Sequence, residues 1–329
     1  MADLFIAELP GETRAAVFDR SKLVEMHIVR DGDGLGAGAR VAARLVRKMG
    51  GRGVVRIGEG AIAEEAIIEP WPQGLSEGAT AIVELVRAAW REPGRDRLAK
   101  VRPSTLAPWP APGLAAALAA RGHVLQQNWP DDVADQWDAA FEAAEIGRVA
   151  IGGGSLNLTP TPAFIAVDVD GAGLALTTPA LTALARTIRL WGLGGSIVID
   201  LPPSGDKGVR TTAAEAFDTL MAGLAFERTA INGFGLMQIV RPRPGPSILE
   251  RAQLERAASA AIALMGSARK HATKSGHAGA RRLVARPDVA QWIMARPHLM
   301  DALSRTIGGA VDVVADAMAG SGHVETAAS

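Results

Sequence analysis

With 329 residues, 48% of them hydrophobic, the chain is long enough for two or three domains with real cores. Thirty-five Lys and Arg balance thirty-five Asp and Glu, so whole-chain charge singles out neither nucleic acid nor a membrane as a partner. There is no Cys, which excludes disulfides and thiolate metal sites. The opening MADLFIAELPGETR lacks the basic start and apolar run of a signal peptide, and no stretch of about 18 apolar residues offers a membrane span. The expectation is a cytoplasmic protein with no membrane association.

RAAVFD and KLVEMHIV, from Arg14 to Val29, read as two strands of a hairpin. RDGDGLGAG is a Gly-rich break. From Arg40 to Arg102 come short segments separated by Gly and Pro: ARVAARLVRK, GVVRIG, AIAEEAIIE and GATAIVELVR. Closely spaced short strands suggest a small barrel, although ARVAARLVRK fits a helix equally well. VRPSTLAPWPAPG reads as a Pro-rich linker, followed by helices over LAAALAARG and DDVADQWDAAFEAAEIG.

From Arg148 the pattern alternates: RVAIGG, SLNLT, AFIAVDV, a helix from about Thr178 to Trp191, GGSIVIDL, a helix from about Thr211 to Ala225, RTAIN and GLMQIVRP. Strands alternating with helices predict an α/β unit with a partly parallel sheet. From Ser247 onward the sequence predicts a long Ala-rich helix, a basic loop SARKHATKSGHAGA, a strand RRLVA, helices around DVAQWIM and HLMDALSRT, and a final strand AVDVVA.

Two strand ends carry carboxylates. FIAVDVDG places Asp168 and Asp170 two residues apart, on one face if the strand persists, and GGSIVIDL ends on Asp200. Asp at a strand end is also ordinary turn chemistry. The helix-length segment between these strands makes them parallel, with both carboxyl ends on the edge where open α/β sheets bind ligands. Asp168 and Asp200 are therefore the candidate metal ligands, with Asp170 near them. Such oxygen donors suit Mg²⁺, and Mn²⁺ accepts the same set.

The barrel segment carries two basic runs: Arg40, Arg44, Arg47, Lys48, Arg52 and Arg56, then Arg87, Arg91, Arg95, Arg97, Lys100 and Arg102, with Trp90 among them. Basic strands with an aromatic between them suit an RNA backbone and a base; an Arg-rich solvated face is the alternative. GLGAGA, from Gly34 to Ala39, fits a dinucleotide-binding pattern if ARVAARLVRK is the helix after it, with Glu59 downstream. The six His show no metal-ligand spacing, and His271 and His277 fall in the basic loop.

IAVDVDG, TALARTIRLWGLGGSIVIDL and INGFGLMQIVRPRPGPSI together resemble the catalytic core of the ribonuclease E/G family, which cleaves single-stranded RNA internally. GETRAAVFDRSKLVEMHIVR is similar to that family's N-terminal hairpin, and the Arg40–Arg102 segment sits where the family inserts an oligonucleotide-binding barrel. The resemblance implies Mg²⁺ held by Asp168 and Asp200. It also puts Asp170 where the family has Asn thought to orient the attacking water.

The departures are specific. A 5′-monophosphate-sensing segment has no room between barrel and core. The paired-Cys zinc link cannot form, so any oligomer is not zinc-linked. Gly233 stands where the family carries Arg, and GGRGVVRIGEGAIAEEAII lacks the barrel's exposed Phe pair.

The fold expected is an α/β catalytic core with a mixed sheet, an inserted small OB-like β-barrel and a small α/β C-terminal domain. The units are an N-terminal hairpin over 1–33, the barrel over 34–104, the core over 105–246 and the C-terminal domain over 247–329. The resemblance implies a metal-dependent endoribonuclease with single-stranded RNA as partner. The catalytic residues are Asp168, Asp170 and Asp200. The RNA-binding residues are Arg40, Arg44, Arg52, Arg56, Arg87, Trp90, Arg95, Arg97, Lys100 and Arg102. A non-catalytic RNA-binding relative and a dinucleotide-binding enzyme are the alternatives.

Overall fold

A computed structural model describes residues 2–60, 63–92, 95–171, 176–203, 206–275 and 279–326. The chain opens with β1 (Asp3–Leu9), β2 (Glu12–Asp19) and β3 (Lys22–Arg30), consecutive antiparallel strands. β2 and β3 are the expected hairpin, and β1 extends it. Ala16, Phe18 and Met26 point into the main core, while Ala15 and Val17 face the opposite way, as the two-residue period of a strand requires.

Next come β4 (Arg40–Met49), β5 (Arg52–Ile57), β6 (Glu64–Ile68) and β7 (Thr80–Arg87). A small hairpin follows, β8 (Trp90–Glu92) and β9 (Arg95–Arg97), and then β10 (Ala99–Pro103). β10, β6, β5, β4 and β7, in that order, close into a five-stranded barrel compatible with an OB-like arrangement. Its interior is small and aliphatic, with Ala43, Leu45, Val55, Ile68, Val83 and Val101 buried.

Two expectations change here. ARVAARLVRK is a strand, because Ala43 and Leu45 turn inward while Arg44 turns out. No helix follows GLGAGA, and Gly38 N–H instead donates to the Leu85 carbonyl at 2.7 Å as the chain enters the barrel. That removes the strand–turn–helix context a dinucleotide fingerprint needs. Val101–Pro103 also belong to the barrel wall, so the Pro-rich connection begins at Ser104.

The connection holds α1 (Leu114–Ala119) and β11 (Val124–Leu125), which pairs parallel with β1. α2 (Asp131–Ile146) carries Asp131 and Asp132 in its first turn and ends on Gly147 in the left-handed conformation, φ 75°. β12 (Arg148–Ile151), β13 (Gly154–Pro160), β14 (Ile165–Gly171), α3 (Thr177–Leu190), β15 (Gly195–Asp200), α4 (Lys207–Leu220), β16 (Glu227–Arg228) and β17 (Leu236–Arg241) follow. They make a six-stranded sheet in the order β12-β13-β14-β15-β17-β16, with only β14 and β15 parallel.

Ile165, Val167, Ile197, Ile199, Met237 and Ile239 bury one face of this sheet against α3 and α4. The alternate residues, from Asn157 to Gln238, stay half-buried or exposed.

The last unit contains α5 (Ile248–Leu254), α6 (Arg256–Ser275), β18 (Arg281–Ala285), α7 (Pro287–Met294), α8 (Pro297–Ile307), β19 (Val311–Ala315) and β20 (His323–Thr326). β18 lies between β19 and β20, and Leu283, Ala285, Val289, Ile293 and Leu303 share a core with Met265. Ser267–Ser275, expected as a loop, continues α6, carried on from the Ala-rich first half of that helix. Among the described residues no helix is long and apolar enough to cross a membrane.

Candidate active site

β14 and β15 run parallel in a register that sets Asp168 directly beside Asp200. Neighbouring strands lie about 4.8 Å apart and paired residues share a face, so the two carboxylates stand side by side. Both are exposed. The register extends across the sheet as one row: Arg148, Asn157, Asp168, Asp200 and Leu236 on β12, β13, β14, β15 and β17. Asp170 stands on the same face of β14, paired with Ser155 in the next row.

The sequence produces this locally because β14 and β15 bury Ile165, Val167, Ile197 and Ile199, and β13 buries Leu156 and Leu158, so the alternate positions Asp168, Asp200 and Asn157 must turn outward. Among the described residues no side chain forms an ion pair or hydrogen bond with Asp168, Asp170 or Asp200. Adjacent unpaired carboxylates repel, and a cation or a shared proton relieves that. Two carboxylates are enough for a Mg²⁺ ion that keeps several waters. Among the described residues no three His, Asp or Glu side chains form a group that could hold one metal ion.

Seven residues beyond Asp200, α4 begins at Lys207; its cap is Asp206, whose carboxylate accepts from Gly208 N–H at 2.7 Å. A cavity of about 220 Å³ lies between that first turn and β16, lined by Lys207, Arg210, Thr211 and Arg228. A second cavity, of about 420 Å³, opens where the hairpin, α5, α6 and α7 meet, lined by Arg30, Trp90, Arg251, Trp292 and Arg296. None of the three carboxylates lines either cavity.

A scan against protein-family models finds none that matches this chain, and no curated protein matches it.

The basic residues of the barrel divide by environment. Arg44 and Arg52 are exposed, as is Arg47 beside them; Arg52 acts electrostatically on the Glu69 carboxylate, whereas Arg44 and Arg47 have no carboxylate partner among the described residues. Arg56 pairs with Glu65 at 3.6 Å, Lys100 with Glu69 at 2.7 Å and Arg102 with Glu84 at 2.7 Å. Arg87 donates to the Leu98 carbonyl at 2.7 Å. The Arg95 side chain lies outside the described ones, as does residue 277 with its His.

Trp90 is not an open stacking platform. It is 7% exposed, with the guanidinium carbons of Arg87, Arg97 and Arg243 at 4.7, 5.6 and 4.1 Å from its ring centroid. It pins the barrel to the segment after β17, where Ala88 N–H also donates to the Pro244 carbonyl at 2.9 Å. The exposed aromatic on the barrel is instead Trp109, from the Pro-rich connection. It is bridged to Arg40 by two 2.8 Å backbone hydrogen bonds, with the Arg40 guanidinium 5.4 Å from its ring centroid. Sequence reasoning missed it because APWPAP reads as linker. Asn157 was missed because nothing in SLNLT signals that its register neighbour is Asp168.

Proposed function

We propose that this protein is a metal-dependent endoribonuclease acting on single-stranded RNA, similar in design to the ribonuclease E/G family but without its 5′ sensor and zinc link. The in-register pair of exposed, unpartnered carboxylates, Asp168 and Asp200, carries this reading. They would hold Mg²⁺, or Mn²⁺. The chemistry such an ion supplies is Lewis-acid stabilisation of phosphate charge and a lowered pKa for bound water. Asp170 and Asn157 neighbour the pair in the sheet and would orient a water. Lys207 supplies positive charge near the end of β15 for the RNA backbone.

RNA affinity comes from the OB-like barrel: among the described residues Arg44 and Arg47 face solvent free of carboxylates, Arg52 is exposed beside them, and Trp109 offers an indole face. The second reading, an RNA-binding protein without turnover, is favoured by one observation. Asp170 adds a negative charge to the rim and would repel the scissile phosphate.

Cleavage of a labelled unstructured oligonucleotide separates them. Asp200→Asn should abolish Mg²⁺-dependent cutting, with partial recovery in Mn²⁺, while leaving RNA binding intact. Oligonucleotides with 5′-monophosphate and 5′-hydroxyl ends should be cut at similar rates. Wild type that cuts no better than the variant, with and without chelator, leaves the non-catalytic reading. In either case, Arg44→Glu with Arg47→Glu should weaken binding and flatten its dependence on salt by about one unit of log–log slope per lost phosphate contact, measured by anisotropy.

A further inference from the structure

The turn between β16 and β17 carries Phe234, which is 81% exposed. This exposure is held in place. The Asn232 carboxamide oxygen accepts from Phe234 N–H at 2.9 Å and from Leu236 N–H at 3.0 Å, and Asn232 N–H donates to the Leu236 carbonyl at 3.0 Å. Leu201 N–H donates to the Gly235 carbonyl at 3.2 Å. Gly235 has φ +93°, and a Cβ there would lie 2.1 Å from the Leu201 carbonyl oxygen, so only Gly permits this approach. The turn is thus clamped to the residue that follows Asp200. Leu236, 40% exposed, is the register partner of Asp200 on the same face.

We propose that Phe234 is a stacking platform for an unpaired nucleobase flanking the scissile phosphate; this rests on the endoribonuclease reading and names what that site selects. A rim with three carboxylates repels phosphate, whereas a neutral base tolerates it and gains from an aromatic face. Bases in a duplex are already stacked on each other, so an aromatic subsite here admits only single strands. Phe234 adds no charge and no proton-transfer group, which makes it a positioning residue.

The test uses the full-length protein, Mg²⁺ and a labelled single-stranded oligonucleotide, intact or with one abasic nucleotide beside the cleaved bond. Phe234→Ala should lower kcat/KM on the intact strand by about ten- to a hundredfold, the stacking of one base, with unchanged Tm. Phe234→Trp should retain activity. On the abasic strand, wild type should fall to the level of Phe234→Ala, and the variant should lose nothing further. Equal abasic penalties in wild type and variant, or full activity of Phe234→Ala, overturn the proposal while leaving the nuclease reading standing.

A binding arm keeps the two apart. In the Asp200→Asn background, anisotropy should show the same base-dependent loss on adding Phe234→Ala. A loss seen there without cutting by wild type supports the base subsite and removes the nuclease; no loss removes the subsite.

Discussion

Glu25 shows how one side chain fixes the junction between hairpin and core. It is 7% exposed, shares a 3.1 Å hydrogen bond with His27, and accepts from Arg121 at 2.9 Å, with Arg189 of α3 at 3.7 Å. Burial pushes its carboxyl upward, but the His27 hydrogen bond and the Arg121 guanidinium outweigh burial and bring it down to about 2 from 4.5. A folded pKa below the unfolded one means the stabilisation is present above about pH 4.5 and is lost as pH falls toward 2. The shift corresponds to something on the order of 3 kcal/mol. Urea midpoints measured from pH 2.5 to 6 should fall steeply on the acid side for wild type. Glu25→Gln should be less stable at neutral pH and show a flatter acid limb.

Among the elements, helix ends were partly legible. The two first-turn acids and the closing Gly147 locate α2 from the sequence. Thr177 or Thr178 reads as the cap of α3, yet the helix starts at Thr177 itself behind Leu176, and no side chain among the described residues caps it. α4 begins four residues before the expected Thr211, because Asp206 caps it. The best-defined start belongs to α5. The Ser247 hydroxyl accepts from Glu250 N–H at 3.3 Å while Glu250 accepts from Ser247 N–H at 2.9 Å, a capping box in a buried site. Arg243 pairs with the same Glu250. Ser247→Ala should cost about 1–2 kcal/mol in urea unfolding, because Glu250 N–H then loses its acceptor away from water.

At the scale of the molecule, the barrel and the sheet are joined through few contacts. Between Gly34 and Ser104 twelve basic side chains stand against eight acidic ones, although the whole chain is balanced, so the barrel carries a local basic surplus. Trp90 rests on Arg243, and Arg243 in turn lies where a Cβ on Gly195, the first residue of β15, would meet it at 3.3 Å. The same strand ends on Asp200. Trp90→Ala removes a buried indole and should destabilise the molecule by about 3–5 kcal/mol. The expected signature is decoupling: protease cleavage near residues 104–113 and loss of cutting, with RNA affinity largely kept.

The hairpin, the short-strand barrel segment, the β–α–β alternation and the two strand-end aspartates follow from period, Gly and Pro placement and burial pattern, which act over neighbouring residues. What required tertiary structure was anything that depends on register or on who covers whom. The sequence placed Trp90 beside arginines but could not say that they enclose it, because Arg243 comes from about 150 residues away. It read Trp109 as linker, since a backbone bridge to Arg40 leaves no local trace. Asp168 and Asp200 could be assigned to one edge of a sheet from the crossover rule alone. Only strand pairing set them in the same row, with Asn157 on one side and Leu236 on the other, because register is decided by packing of the opposite, buried face.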